Sequence, residues 1–270
     1  MRSRARESRR YRGGAGYPVG MNSTSQPLVA TSTQEFLAGY REQGFAMLGS
    51  ILNAPELADI RAEEARFRPQ PLRGLVDAPN TRTVFRSQVC GFSPIVRKFA
   101  TEGRHLDRVA EVVGPDVALY YTQFVTKLPD ADVRRGEFPW HQDLGYVAIL
   151  PMLRTVTVWV ALDDVDETNG CVWVQPGSHH GGLLSHQQAH ADTWHLTVPV
   201  TGDGIPARLK AGEAVAFTGL TLHRSKSNAT NAPRRGFFME YVPAEATEQA
   251  NGNSVLEKCD TWVVRGRRPV

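Results

Sequence analysis

The sequence predicts a mainly β fold with an α annex: a double-stranded β-helix, or cupin-like jelly roll, flanked by N-terminal helices. Three observations predict it. From Val117 onward, short stretches alternate with period two and are rich in β-branched and aromatic residues. Turn signals separate them at Pro129-Asp130, Asn169-Gly170, Pro176-Gly177 and Ala211-Gly212. Before Val117, helix start and stop signals dominate instead.

The elements follow in chain order. Residues 1–26 read as a disordered tail rich in Arg, Gly and Ser. A short helix follows over Thr33–Gly44, which Ser32 or Thr33 can cap and Gly44 ends. Phe45–Leu48 reads as a short strand. Ala54–Phe67 reads as a longer helix with Pro55 in its first turn. Ser93–Gly103 and Arg104–Val113 read as two more helices. The expected strands are Ala118–Lys127, Gly145–Ile149, Thr155–Leu162, Cys171–Gln175, Trp194–Pro199, Ala214–Phe217 and Arg234–Val242. The 270 residues thus divide into the tail and one domain over 27–270. Within it, 27–115 is mostly helical, 116–245 is the jelly-roll core and 246–270 is a C-terminal extension.

Charge and cysteines narrow the function classes. Residues 1–12 hold six arginines and one glutamate, +5 in all, so the chain's net +3 leaves −2 on residues 13–270. The domain itself has no basic stripe, which argues against a nucleic-acid partner. No run of about 18 apolar residues predicts a transmembrane helix, so no membrane partner is expected. The arginines are followed by no apolar segment of the secretory kind, and residues 2–16 lack the apolar face of a transit peptide. Cys90, Cys171 and Cys259 are odd in number and widely spaced, which predicts ordinary thiols in a reducing, cytoplasmic setting.

The candidate site rests on His141, Asp143 and His223. Two imidazoles and a carboxylate are the ligand set of the facial triad in non-heme Fe(II) oxygenases, which leaves metal positions open for a co-substrate and O2. On a strand, residues two apart point to one face, so His141 and Asp143 would lie about 7 Å apart along it. Phe138 and Trp140 flank the pair, and a carboxylate among aromatics needs a partner. His223 is expected from a different strand end, meeting the pair across the barrel.

The stretch from Tyr120 to Tyr241 resembles the phytanoyl-CoA dioxygenase family. The matching signatures are His141-Gln-Asp143, Trp159-Val-Ala-Leu-Asp-Asp164, Asn169-Gly170, Pro176-Gly-Ser-His179, and His223-x-Ser225-x-x-Asn228 followed by Arg234. They occur in order, and Gln34–Leu52 resembles the family's entry helix and strand. The resemblance implies a jelly-roll oxygenase using Fe(II), 2-oxoglutarate and O2. Arg234, eleven residues after His223, would bind the distal carboxylate of 2-oxoglutarate. A planar guanidinium suits that bidentate task, and Ser225 would add a hydroxyl. Arg235 would face the other way on the strand. Trp159 would line the co-substrate pocket, although a plain core tryptophan is an equal reading. A polar residue on the preceding strand would reach the co-substrate: Gln123 is chosen, and Lys127 is read as exposed.

Other conspicuous residues receive blander readings. His179 should shape the pocket rim or hold a turn. His180, His186, His190 and His195 read as a solvated loop. Asp163, Asp164, Asp166 and Glu167 read as a loop before Asn169-Gly170. Substrate contacts are sought in Arg73, Arg82, Arg86, the Leu144–Arg154 loop with Tyr146, Met152 and Arg154, and the His179–His195 stretch.

The resemblance implies a dioxygenase that hydroxylates a C–H bond of a small organic or natural-product-like substrate, releasing succinate and CO2, as a monomer or homodimer. Desaturation, epoxidation and rearrangement would use the same residues. Halogenases on this scaffold have a small residue in place of the carboxylate ligand, so Asp143 argues against halogenation. The alternatives from other classes are a jelly-roll protein that binds metal or a small ligand without turnover, and a non-oxidative metal enzyme of the cupin type.

Overall fold

The computed structural model describes residues 28–70, 82–130, 135–258 and 260–269. Arg73, Cys259 and the tail over residues 1–26 lie outside them.

The chain enters through helix α1 (Thr33–Gln43), strand β1 (Phe45–Ser50) and helix α2 (Ala54–Phe67). Both helices start with a full capping box: Ser32 with Glu35, and Asn53 with Glu56. Gly44 closes α1 at φ 84°, a conformation that favours glycine. Strand β2 (Thr83–Ser87) and helices α3 (Pro94–Glu102) and α4 (Leu106–Val113) follow. β2 was not expected among the helices.

The β-rich part contains β3 (Val117–Lys127), β4 (Phe138–His141), β5 (Ile149–Leu150), β6 (Val156–Ala161) and β7 (Val172–Val174). Two short pairs, β8 (Gln187–Gln188) with β9 (Leu196–Thr197) and β5 with β14 (Thr247–Glu248), lie outside the main sheets. β10 (Ile205–Pro206), β11 (Glu213–Phe217), β12 (His223–Ser225), β13 (Arg234–Pro243) and β15 (Trp262–Arg265) complete the set. The large sheet runs β1-β11-β6-β13-β3-β15, with β2 also on β3; the small sheet runs β10-β7-β12-β4. Paired strands within both sheets are antiparallel, giving the expected mainly β, double-sheet jelly roll.

Two strand expectations fail. Gly145–Ile149 is no strand: a 3-10 turn occupies Asp143–Gly145, and only Ile149–Leu150 is extended. Trp194–Pro199 shrinks to Leu196–Thr197. In both stretches, side chains turn into the cavity in place of an alternating ladder.

Alternation in the large sheet separates two cores. Val156, Val158, Val160, Phe237, Met239 and Tyr241 face the helices and pack on Phe36, Tyr40, Ile60, Phe99 and Val109. Trp159, Ala161, Val215 and Phe217 face the small sheet and pack with Trp140, Val172, Trp173 and Val174. The second core is incomplete. Between the sheets lies a cavity of about 570 Å³.

Candidate metal centre and its cavity

Strand β4 delivers His141 at its last residue, and β12 delivers His223 at its first. The two histidines are paired opposite one another in neighbouring strands. His223 therefore meets His141 within one sheet, and does not reach across the barrel as expected. Asp143 also arrives differently. It opens the 3-10 turn after β4, so the chain bend, and not strand periodicity, swings its carboxylate back toward the histidines.

Asp143 Oδ1 lies 3.7 Å from His141 Nε2 and 3.4 Å from His223 Nε2. Donor atoms of all three fall within 4.8 Å of one another, and among the described residues they are the one such group of His, Cys, Asp or Glu. Backbone carbonyls set the tautomers. His141 Nδ1 donates to Pro139 O at 2.8 Å, and His223 Nδ1 donates to Thr221 O at 3.0 Å. Each ring is left with an Nε2 lone pair toward Asp143, as metal-binding imidazoles need. Thr157 Oγ1 donates to the other Asp143 oxygen at 2.8 Å and fixes its rotation. Burial pushes the Asp143 carboxyl up, but His223, His141 and Thr157 hold it below the usual range. Burial, with His223 adding, holds His141 well below the ordinary imidazole range, so it stays neutral. The donor set fits a divalent ion.

The next link is Trp159, two residues along β6 from Thr157 and on the same face. A Cβ at Gly236 would come 2.2 Å from the Trp159 ring, so only glycine lets the indole lie against β13. The Arg234 guanidinium sits 5.2 Å from the centre of that ring. Arg234 is 1% exposed, and burial pulls its pKa down to about 10. Its Nη2 donates to Gly170 O at 2.7 Å, while its Nε finds no partner. Gly170 stands at φ 82°, so the Asn169-Gly170 turn positions a carbonyl for the arginine. No carboxylate pairs with Arg234 among the described residues, and a cation so buried requires one. Arg235, facing out, is paired bidentately with Asp163 at 2.6 and 3.0 Å. The choice of Arg234 over Arg235 agrees with this division.

Ser225 and Gln123 both line the cavity. Gln123 donates to Ser87 Oγ at 3.0 Å and to the Tyr121 hydroxyl at 3.2 Å. Lys127 is not exposed: it is completely buried beside Arg234, its register partner. Its Nζ donates to Gly136 O and, at 3.3 Å, to Ser225 O. Burial, and then Arg234, hold its pKa well below the ordinary lysine value. Sequence reasoning missed Lys127 and Thr157, although each lies an even number of residues from an inward residue on its own strand.

The His-rich stretch is not simply solvated. His195 is buried, with its ring centre 4.3 Å from that of Phe138, and burial lowers its pKa to about 4. His186 accepts from the Gln142 amide at 3.0 Å and so clamps the segment between the two β4-side ligands. His179 holds Arg41 O at the end of α1, a turn-holding role. His190 is exposed as expected. The arginines sought as substrate contacts are structural instead. Arg82 donates to Pro129 O, Arg86 to Phe67 O, and Arg154 to Val113 O and Glu245. Met152 packs in a separate core, whereas Tyr146 does line the cavity.

Histidine and carboxylate donors lining the cavity of a jelly roll, followed by a buried arginine with no carboxylate partner among the described residues, define a non-heme iron, 2-oxoglutarate-dependent oxygenase. The comparisons with known proteins agree. The chain belongs to the phytanoyl-CoA dioxygenase family, whose profile matches residues 40–236. It is 25% identical over 271 residues to peroxisomal phytanoyl-CoA dioxygenase of Bos taurus, covering 84% of this chain and 80% of that one. It is 25% identical over 234 residues to ectoine dioxygenase of Bordetella bronchiseptica, covering 77% and 74%. Among solved structures it resembles the epimerase SnoN in complex with Fe3+, alpha ketoglutarate and nogalamycin RO. The TM-score is 0.68 at 22% identity, over 84% of this chain and 89% of that one, a likeness of fold.

Proposed function

We propose that this enzyme hydroxylates a C–H bond of a small, largely apolar, natural-product-like molecule held in the 570 Å³ cavity. His141, Asp143 and His223 would hold Fe(II), and Arg234 with Ser225 would take the distal carboxylate of 2-oxoglutarate beside Trp159. The observation that carries this reading is the buried Arg234, without a carboxylate partner among the described residues and reached from the triad through Thr157 and Trp159. When bound, Fe(II), 2-oxoglutarate and O2 supply the oxidation, with succinate and CO2 released.

The chain's own residues bind, orient and exclude. Pro139 and Thr221 carbonyls keep protons on the Nδ1 atoms, so both Nε2 atoms stay free to bind. Thr157 keeps one Asp143 oxygen occupied and the other turned to the histidines. Arg234 offers a bidentate fork that fixes which end of 2-oxoglutarate points away from the metal. Lys127 stands opposite Arg234 in register, with its Nζ on the Gly136 and Ser225 carbonyls. Phe138, Tyr146, Trp194 and Phe238 line the space near the metal and keep water from it.

Epimerase and carbocyclase are named among the structural neighbours, so rearranging outcomes at the same residues form the second reading. A cytoplasmic enzyme working as a monomer or homodimer completes the proposal, and light scattering reads the oligomeric state. The main test is anaerobic addition of Fe(II) and 2-oxoglutarate, with a visible charge-transfer band expected. A band that never forms, or one that survives Asp143→Ala, would overturn the oxygenase reading in favour of a metal-binding jelly roll without turnover. Succinate release stimulated by members of a compound panel then identifies the substrate.

A further inference from the structure

The inward face of β13 carries a second ionisable group that the catalytic reading leaves unused. Glu240 lies six residues beyond Arg234 on that face. It lines the cavity, is 8% exposed, and makes no hydrogen bond to a described residue. Its register partners are Thr157 on β6 and Tyr121 on β3. Thr157 is the residue that holds Asp143, so Glu240 stands at the metal end of the strand, away from the arginine end.

The neighbouring polar groups hydrogen-bond to one another and not to Glu240, although Lys258 acts on it through space. Lys258 Nζ donates to the Tyr120 hydroxyl at 2.7 Å, and that hydroxyl donates to Glu248 at 2.9 Å. The Tyr121 hydroxyl donates to Ser87 Oγ at 2.6 Å. Burial pushes the Glu240 carboxyl up to about 8, with Asp143 adding to the shift and Lys258 opposing it. A buried carboxyl without a hydrogen-bond partner destabilises a fold. Its place in an open cavity means that a molecule entering can supply the partner.

The same cavity has an apolar wall. Phe85, Phe138, Tyr146 and Trp194 form a connected edge-on and tilted ring cluster, with centroids 5.4 to 6.4 Å apart. Such a wall accepts a flat or bulky apolar body. A carboxyl accepts hydrogen bonds in either protonation state, so a donor is the group it fits in both. A substrate carboxylate would meet both Glu240 and Asp143.

We propose that Glu240 is a specificity-determining residue that receives a hydrogen-bond-donating group, amine or hydroxyl, of a substrate whose apolar body rests on the Phe85–Phe138–Tyr146–Trp194 wall. The proposal rests on the oxygenase reading only in taking the cavity as the substrate site. Its test uses metal-free protein, so it stands or falls apart from the charge-transfer band.

The experiment is calorimetric titration of the full chain with 2-phenylethylamine, 2-phenylethanol and, as a probe of the same body without a donor, 2-phenylethyl methyl ether. At least one donor probe should bind with a Kd of about 1–10 mM or better, and at least about tenfold tighter than the ether. Glu240→Ala should weaken that binding about tenfold or more. Glu240→Gln then separates the two sources. An amine probe should weaken as in the alanine variant, whereas a hydroxyl probe should stay within about threefold. Both variants should melt at or above the wild-type temperature, since each removes a buried group with no partner. Failure of both donor probes to bind would overturn the proposal. So would unchanged binding in Glu240→Ala, equal binding of the ether, or variants melting several degrees below wild type.

Discussion

Strand β13 turns Arg235, Phe237, Met239 and Tyr241 toward the helices, and Arg234, Gly236, Phe238 and Glu240 toward the cavity. On the helix side the polar groups of β13 itself are closed, while His105 Nδ1, at the start of α4, has no partner among the described residues. Arg235 is paired with Asp163, and Tyr241 donates to Ala100 O at 2.8 Å while receiving His105 at 2.7 Å. On the cavity side, among the described residues, Arg234 Nε has no partner and Glu240 makes no hydrogen bond. Both faces are buried, so burial alone does not distinguish them. What distinguishes them is whether burial is compensated within the chain. The helix face holds the fold together, and the cavity face keeps charges waiting for ligands at a cost in stability.

The largest expected effect falls on the cavity side. Asp143→Ala should reduce turnover and the Fe(II)-dependent band to background while the melting temperature holds, because its buried carboxylate is satisfied only by Thr157 and the histidines. A melting temperature lowered by many degrees would show that the triad is also a folding element, and the comparison would break there. Next in size, Phe237→Ala on the helix face should cost about 3–5 kcal/mol in denaturant unfolding. The KM for 2-oxoglutarate should not move in that variant. Arg234→Met, on the adjacent residue pair of the opposite face, should do the reverse. It should raise the KM for 2-oxoglutarate about 10- to 100-fold, or about 1.4–2.7 kcal/mol of binding, with stability unchanged or increased. A collapse of stability in Arg234→Met would mean that the arginine is a structural part of the core.

The smallest effect sharpens the contrast through pH. Burial holds His105 at about 3, down from 6.5, and it sits against Tyr241 on the helix side. Its folded form resists protonation, so its contribution is full above pH 6.5 and is lost progressively as pH falls toward 3. His105→Gln keeps a donor for Tyr241 and should flatten the fall in unfolding free energy over that window. Measurement by urea melts at several pH values decides it. An unchanged slope would move the acid sensitivity to some other group.

Much of this division was legible in the sequence. Period two along Arg234–Val242 separates Arg234 from Arg235, and the family's spacing after His223 points to Arg234. The capping residues Ser32 and Asn53, and Gly44 at the end of α1, are local chemistry that any reader of the chain can place. The ordered motifs picked out His141, Asp143, His223 and Trp159, which the fold brings around one cavity. What escaped were facts of register and of turning. Lys127 looks like a surface lysine until β13 sets Arg234 opposite it. Asp143 looks like a strand residue until the chain bends after His141. His186 and His195 look solvated because their partners, the Gln142 amide and Phe138, are more than 40 residues away. Long-range pairing of this kind leaves no local trace.

The opposed positions of His141 and His223 have a mechanical consequence. β4 and β12 are short edge-and-neighbour strands of the small sheet, joined over only a few residues and with an irregular register. An ion held by both histidines would be a rivet through that seam, tying the two strands by a bond that backbone pairing alone does not supply. Loading the ion would then stiffen the small sheet selectively, leaving the seven-stranded sheet as it is. The enzyme's rigid half would be built by its helices, and its working half would be finished by its metal.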